Sequence, residues 1–357
     1  VVCRNCGLVF ADRIPPEPTF ERYYAKASKY EFSHRGGQQH DAEVRRLRAL
    51  ASWIAERVPA SARLLDAGCA TGELLVALRE HGFSDLTGLD LSDAAARYAR
   101  DHHGLHVIHG TLGDEPHDGR GFDVVVLSAV LEHIPVLHRF LEQLEAWLNR
   151  NGLVIVEVPD AENFARAFNA PYQEFSIEHI NFFSASALDN LMRVHGYSRV
   201  AVRQELCYAG PNLTGPVLTM IFRSGASSVA PALEASSEAG VRAYLERCRK
   251  WTDSENRVIA MLVEAQRPVI IWGIGTLCQR LLATTRLRDA NIRAFIDSNP
   301  HYQGQSMIGR PVIGPHEMTG RTEPILISSW VFIDEITRQI REELGLDNEI
   351  IRINADA

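Results

Sequence analysis

Three short stretches of the 357-residue chain carry side chains whose types and spacing suit chemistry. The first is Asp66-Ala67-Gly68-Cys69-Ala70-Thr71-Gly72. An apolar pair, Leu64-Leu65, reads as the end of a buried parallel strand. The chain then stops at an acid, passes glycines at 68 and 72, and resumes as helix-like sequence over 73–80. Glycine lets backbone approach a ligand, and a helix N-terminus offers unpaired N–H groups. The Gly-Lys-Ser/Thr ending of a phosphate-binding P-loop is absent, and so is G-x-G-x-x-G, because Gly68 is followed by Cys69 and Ala70. The second stretch is Phe175-Ser176-Ile177-Glu178-His179-Ile180-Asn181-Phe182-Phe183-Ser184. An acid beside an imidazole, embedded in aromatics, suits proton transfer, since desolvation and the neighbouring carboxylate together can hold a histidine near neutrality. The alternative is structural, with His179 only capping a helix near Ser184. The third stretch is Cys3-Arg4-Asn5-Cys6-Gly7. Two thiolates so spaced bind one face of a tetrahedral zinc, but a structural site needs four ligands; otherwise this is a β-turn with two reduced thiols.

These groups need a frame, and the intervening sequence supplies one. Residues 86–92 read as a second strand ending in Asp90, one crossover helix after the first. An acid at that strand tip can accept both ribose hydroxyls of a nucleoside. Residues 105–112 give a third strand running into Gly110-Thr111-Leu112. Residues 122–128 give a fourth ending at Ser128, and 152–159 a fifth. His133, in Leu131-Glu132-His133-Ile134-Pro135, follows the fourth strand, whose C-terminal end faces ligands in such folds. Apolar strands alternating with helical stretches predict an α/β fold with a mostly parallel sheet. Ahead of it, 41–58 reads as an amphipathic helix with Val44, Leu47, Leu50 and Ile54 on one face. A Ser/Ala/Gly-rich link over 224–237 precedes a long helix. Pro268 to Thr276 then opens another strand–loop–helix, answered by Asp297-Ser298-Asn299-Pro300. The third glycine of the dinucleotide pattern is missing there too.

Composition sets limits. A net charge of −8 argues against a general nucleic-acid binder, while one local Arg cluster would suffice for an anionic substrate. No apolar run reaches membrane-spanning length and no secretory signal is visible. Six scattered cysteines do not resemble a disulfide framework, which fits a reducing cytoplasm. The chain starts at Val1 without Met, so a segment upstream is expected.

The D-x-G-x-x-T-G loop, Asp90, the Gly110-Thr111 turn, the Ser128 strand and Leu-Glu-His-Ile stand in the order of the class I S-adenosylmethionine (SAM) methyltransferases, and the loop resembles their motif I. The resemblance implies SAM as cofactor, bound by Asp66, Gly68, Cys69, Gly72, Asp90, Leu91, Gly110, Thr111, Leu112 and Ser128, with Tyr30 on an aromatic N-terminal lid. Beyond that domain, the knuckle, the Glu-His segment and the second nucleotide-like fold resemble, in order, the nucleotide-sugar C-methyltransferases. That resemblance implies zinc on Cys3 and Cys6, with the other ligands upstream of Val1. It implies His179 as base, oriented by Glu178 and assisted by His133, and a keto-sugar nucleotide as small-molecule substrate. Ser176 departs from the family, which has Tyr there. O- or N-methylation of a polysaccharide or natural-product precursor stays open, as does a non-catalytic SAM- or nucleotide-binding protein. The expected organisation is an N-terminal knuckle and lid over 1–40, a SAM-binding domain over 41–224, a linker and helix over 225–266, and a Rossmann-like domain over 267–357. A monomer or a homodimer is expected, with no membrane and no nucleic acid as partner.

Overall fold

The computed structural model describes residues 1–26, 41–114, 119–167, 170–175, 178–210, 213–330 and 332–353. Tyr30 and Ser176 lie outside them. The chain divides into two compact units, Val1–Phe168 with Glu174–Tyr244, and Asn169–Gln173 with Leu245–Ala357.

In the first unit the elements are β1 (Val9–Phe10), α1 (Glu17–Lys26), α2 (Asp41–Ala55), β2 (Leu64–Ala67), α3 (Glu73–Glu80), β3 (Leu86–Asp90), α4 (Asp93–His103), β4 (Val107–His109), β5 (Phe122–Ser128), α5 (Leu137–Glu145), β6 (Leu148–Pro159), β7 (Asn181–Phe182), α6 (Ala185–Val194), β8 (Tyr197–Gly210) and β9 (Leu213–Ser224). A seven-stranded sheet runs in the order β4-β3-β2-β5-β6-β9-β8. Its first five strands are parallel, as expected, and β9 enters antiparallel to both β6 and β8. The β8–β9 hairpin is the element that the sequence reading did not anticipate.

Strand alternation explains how the sheet is covered. Leu65, Val125, Leu127, Val154, Val156 and Met220 point to one face, where they pack with Leu141 and Leu144 of α5 and Leu188 of α6. Leu64, Val124, Val126, Ile155 and Ile221 point to the other, against Leu47, Leu50 and Ile54 of α2 and Leu75 and Leu78 of α3. With helices on both faces, the central strands are apolar without interruption. The strand order reverses between β2 and β5, so a crevice opens at their C-terminal ends, where ligands of doubly wound sheets sit.

The loop after β2 is shaped by its glycines. Gly68 and Gly72 hold φ of 85° and 86°. A Cβ on Gly72 would lie 2.4 Å from Leu105 Cδ1 and 3.3 Å from the Ala99 Cβ, both packed beneath the loop. Gly72→Ala is therefore expected to cost on the order of 2 kcal/mol, from left-handed strain plus overpacking. A shift of the urea midpoint of less than a tenth would show that the loop accommodates a side chain.

The second unit has its own six-stranded sheet. The helix α7 (Ser236–Ala265) leads to β10 (Val269–Trp272), α8 (Thr276–Thr284), β11 (Ile292–Ile296), β12 (Ser306–Met307), β13 (Arg310–Ile313), β14 (Ile325–Ile327), α9 (Ile333–Arg338) and β15 (Ile350–Arg352). The order is β12-β13-β11-β10-β14-β15, parallel except for β12. The expected second α/β fold is present. Among the described residues no helix is long and apolar enough to cross a membrane.

Candidate active site

The loop between β2 and α3 is pinned from β3. Asp90 Oδ2 accepts from Ala70 N at 2.7 Å, and its Oδ1 accepts from Ser92 N at 2.8 Å. Each carboxylate oxygen still has acceptor capacity for a hydroxyl. Asp66 is buried behind the loop, 3% exposed. Burial, reinforced by the Asp90 charge and opposed by Arg46, pushes its carboxyl up to about 7. Thr71 is buried, and among the described residues its hydroxyl has no hydrogen-bond partner. A buried hydroxyl with no partner among the described residues, a buried carboxyl and two positive-φ glycines on one loop fit the amino-acid end of SAM.

The other expected cofactor residues divide. Gly110 and Thr111 form a turn held by Asp114, whose Oδ2 accepts from Thr111 N at 2.7 Å. Leu91 gives its carbonyl to His109 at 3.1 Å. Leu112 turns into the apolar core, and its carbonyl accepts from Trp147 Nε1 at 3.1 Å. Cys69 is buried within the loop, and burial with the Asp66 and Asp90 charges raises its thiol well above the usual range. Ser128 is committed elsewhere, to a polar row across the sheet.

That row was not anticipated. Ser128, Glu157, Thr219 and Arg203 are register neighbours on β5, β6, β9 and β8. Glu157 is 1% exposed. Its Oε1 accepts from Ser128 Oγ and its Oε2 from Thr219 Oγ1, each at 3.2 Å, and Arg203 Nη2 lies 3.9 Å away. Arg46, reaching over from α2, donates to Glu157 Oε1, to Ser128 Oγ at 3.1 Å and through Nη2 to Glu43 at 2.8 Å. A glutamate inside Val154-Ile155-Val156-Glu157-Val158 was the one sequence signal for it; nothing in α2 singled out Arg46.

The Glu-His segment meets the tip of β5. Asn181 Nδ2 ties the two stretches by donating to the carbonyls of Leu131 and Ile134, at 2.9 and 2.8 Å. His133 and His179 face one another, ring centroids 5.2 Å apart. His133 Nδ1 lies 2.9 Å from the Glu178 carbonyl and His179 Nδ1 lies 3.2 Å from that of Glu174. A carbonyl can only accept, so in each neutral ring the proton sits on Nδ1 and the basic lone pair on Nε2. Burial lowers the His179 pKa, opposed by the Glu132 carboxylate and assisted by His133. The imidazole is thereby a neutral base near pH 7. Glu178 Oε1 accepts from Tyr23 Oη at 2.6 Å, which with burial pushes the phenol up to about 12. Tyr23 thus enters the site from the aromatic segment that the sequence reading flagged through Tyr30.

Glu132, His133 and His179 bring ligand-type atoms within 4.8 Å of one another; among the described residues no other group of three metal-type side chains does so. Cys3 and Cys6 therefore gather no third and fourth ligand there. The knuckle itself forms as a turn, with Gly7 N donating to the Cys3 carbonyl at 2.9 Å and Gly7 at φ 85°. Backbone N–H groups of Asn5 and Cys6 lower the Cys3 thiol, and burial raises that of Cys6. Two thiols are half of a tetrahedral zinc site, and the described residues do not complete it.

Comparison with known proteins agrees with this architecture. A methyltransferase-domain family profile matches residues 38–202, and a profile described as C2185-like, N-terminal, matches residues 265–351. The chain is 26% identical over 362 residues to the C-methyltransferase NovU of Streptomyces niveus, an alignment covering 96% of this chain and 83% of that one. It is 32% identical over 156 residues to the biotin biosynthesis bifunctional protein BioCD of Bordetella avium, covering 42% of this chain and 32% of that protein. Among solved structures, magnesium protoporphyrin IX methyltransferase of Synechocystis with bound SAM superposes with a TM-score of 0.42 at 14% identity, over 60% of this chain and all of that one. Residues 38–202 are a class I SAM-dependent methyltransferase domain.

Proposed function

We propose that the enzyme methylates carbon, at a position next to a keto group of a nucleotide-activated sugar or related glycan precursor. The observation that carries this reading is the His179 imidazole, neutral through burial and presenting Nε2 as its basic atom. An end-to-end alignment with a protein named as a C-methyltransferase supports it as well.

When bound, SAM supplies an electrophilic methyl group on a sulfonium. His179 Nε2 takes the proton from the carbon beside the keto group, and the C–H electron pair becomes that of an enolate. The enolate carbon would be the nucleophile for the methyl group that bound SAM would supply. Glu178 fixes the loop by binding Tyr23, and His133 holds the Glu178 carbonyl, so the base is aimed by two anchors. Most of the rate enhancement would come from alignment of carbon, methyl and sulfur in the crevice. The test is incubation with SAM and a panel of keto-sugar nucleotides, read by product mass. In deuterated water without SAM, the carbon next to the keto group should exchange in the presence of enzyme. Methyl transfer to oxygen or nitrogen with no such exchange would replace carbon methylation by the second reading.

Cofactor binding carries its own pH signature. Asp66 is held protonated below about pH 7, whereas acceptance of the SAM ammonium group needs the carboxylate. Uptake must then release a proton, so affinity falls as pH drops through 7, by about tenfold per unit. Calorimetry between pH 5.5 and 8.5 in two buffers of different ionisation enthalpy measures both affinity and proton release. Flat affinity with no proton release would rule Asp66 out as the linked group.

A further inference from the structure

We propose that the outer edge of β8 is a dimerisation surface, on which a second copy of this chain pairs antiparallel about a two-fold axis through Gln204. β8 is the last strand of the seven-stranded sheet, and among the described residues no strand bonds its outer edge. Register irregularities at Arg199/Ala201 and Tyr208/Gly210 bound a regular run, residues 201–208. An edge that must stay unpaired normally carries lysine, proline or a bulge. This run, Ala-Val-Arg-Gln-Glu-Leu-Cys-Tyr, has no lysine, proline or glycine, and its bulges lie only at its ends. Val202 and Leu206, on one face, are 47% and 41% exposed.

Charge complementarity selects the occupant and the register. A two-fold axis perpendicular to the sheet maps each face onto itself, so it must pass through a residue position rather than between two. Centred on Gln204, it sets Arg203 opposite Glu205 of the second copy, and Glu205 opposite its Arg203. On the other face it sets Val202 opposite Leu206, twice. Centred one residue earlier, it would oppose Arg203 to Arg203; one residue later, Glu205 to Glu205. Like charges directly opposed destabilise a strand pair, and opposite charges and apolar pairs stabilise it. Of these three frames, only the one centred on Gln204 makes the strand complementary to itself. The face bearing Arg203 and Glu205 also meets the polar row, since Arg203 Nη2 lies 3.0 Å from Glu205 and 3.9 Å from Glu157. Both charges are therefore already held in place before pairing, which reduces the ordering cost of association.

Sedimentation equilibrium of the full chain is expected to give twice the chain mass at micromolar concentration. Val202→Lys/Leu206→Lys, two exposed substitutions that set lysine against lysine, should weaken the dimer by about 100-fold with the circular dichroism spectrum unchanged. Single cysteines fix the register. Gln204→Cys should form an intermolecular disulfide on mild oxidation, because only residue 204 faces itself at a separation that a disulfide spans. Arg203→Cys and Glu205→Cys should remain at the wild-type background. A monomer throughout the concentration range would overturn the proposal. So would a dimer indifferent to the double lysine substitution, or equal cross-linking at 203, 204 and 205.

Discussion

Replacing His179 with alanine is expected to lower turnover by at least about a thousandfold while SAM affinity stays within a few fold. The imidazole is fixed by the Glu174 carbonyl at Nδ1, on the segment after β6. The residues pinning the cofactor loop, Asp90, Ala70 and Ser92, are on other elements, so the substitution removes proton transfer without disturbing that loop. The pH profile gives a second reading of the same role. A base must be neutral to act, so activity falls as pH drops through its pKa. Because burial lowers that pKa below the ordinary 6.5, the acid limb of kcat/KM for the acceptor, at saturating SAM, should lie below pH 6.5. An acid limb above 6.5, or full activity of His179→Ala, would assign the proton transfer to another group.

Arg46→Met should be strongly destabilising to the first unit. It leaves Glu157, 1% exposed, and Glu43 without their shared cation. Removing one member of a buried ion pair costs about 3–5 kcal/mol; the loss should fall at the lower end, because Arg203 Nη2 remains 3.9 Å from Glu157. Adding Glu157→Gln to Arg46→Met should return a large part of that loss, since the charge is then gone. Urea unfolding of the two single variants and the double variant gives the coupling. Additive losses would mean that the pair does not behave as a pair. Arg46 also opposes the elevation of the Asp66 pKa, so the Met variant should move the pH dependence of SAM binding upward.

Much of the frame was legible in the sequence because it is local. The helix Glu73–Glu80 and the strand Phe122–Ser128 form over the expected residues, fixed by an apolar run, an acid and glycines that need no distant partner. The β8–β9 hairpin was missed although β9 carries the apolar run Val217-Leu218-Thr219-Met220-Ile221-Phe222, because β8 gives no strand signal of its own: Val202-Arg203-Gln204-Glu205-Leu206 neither alternates regularly nor forms an apolar run. Arg46 and Glu157 are 111 residues apart, and Tyr23 and Glu178 are 155 apart. No window of sequence contains either pair. Strand-tip acids hold a further lesson. Asp90 was read as a ribose acceptor, and its oxygens also accept from Ala70 N and Ser92 N, with capacity left for a hydroxyl. Asp297 repeats the arrangement in the second unit, accepting from Ile274 N at 3.1 Å and Asn299 N at 2.9 Å. An acid at that spacing reports first on how the glycine loop is stapled, and the ligand is a separate question.

The row from Ser128 to Arg203 settles an ambiguity that apolar packing leaves open. Alternation distinguishes a strand from its neighbour frame, since a slip of one residue turns every side chain to the wrong face. It does not distinguish a slip of two. Val154, Val156 and Val158 are interchangeable in kind, and so are Leu218, Met220 and Phe222 opposite them. Only one of those degenerate frames sets the Glu157 carboxylate between the Ser128 and Thr219 hydroxyls and under the Arg46 guanidinium. In every other, a buried charge loses its partners, at a cost of several kcal/mol. The four strands thus carry two kinds of information: a redundant apolar message that says which side is inside, and a single polar word that says where each strand stops sliding.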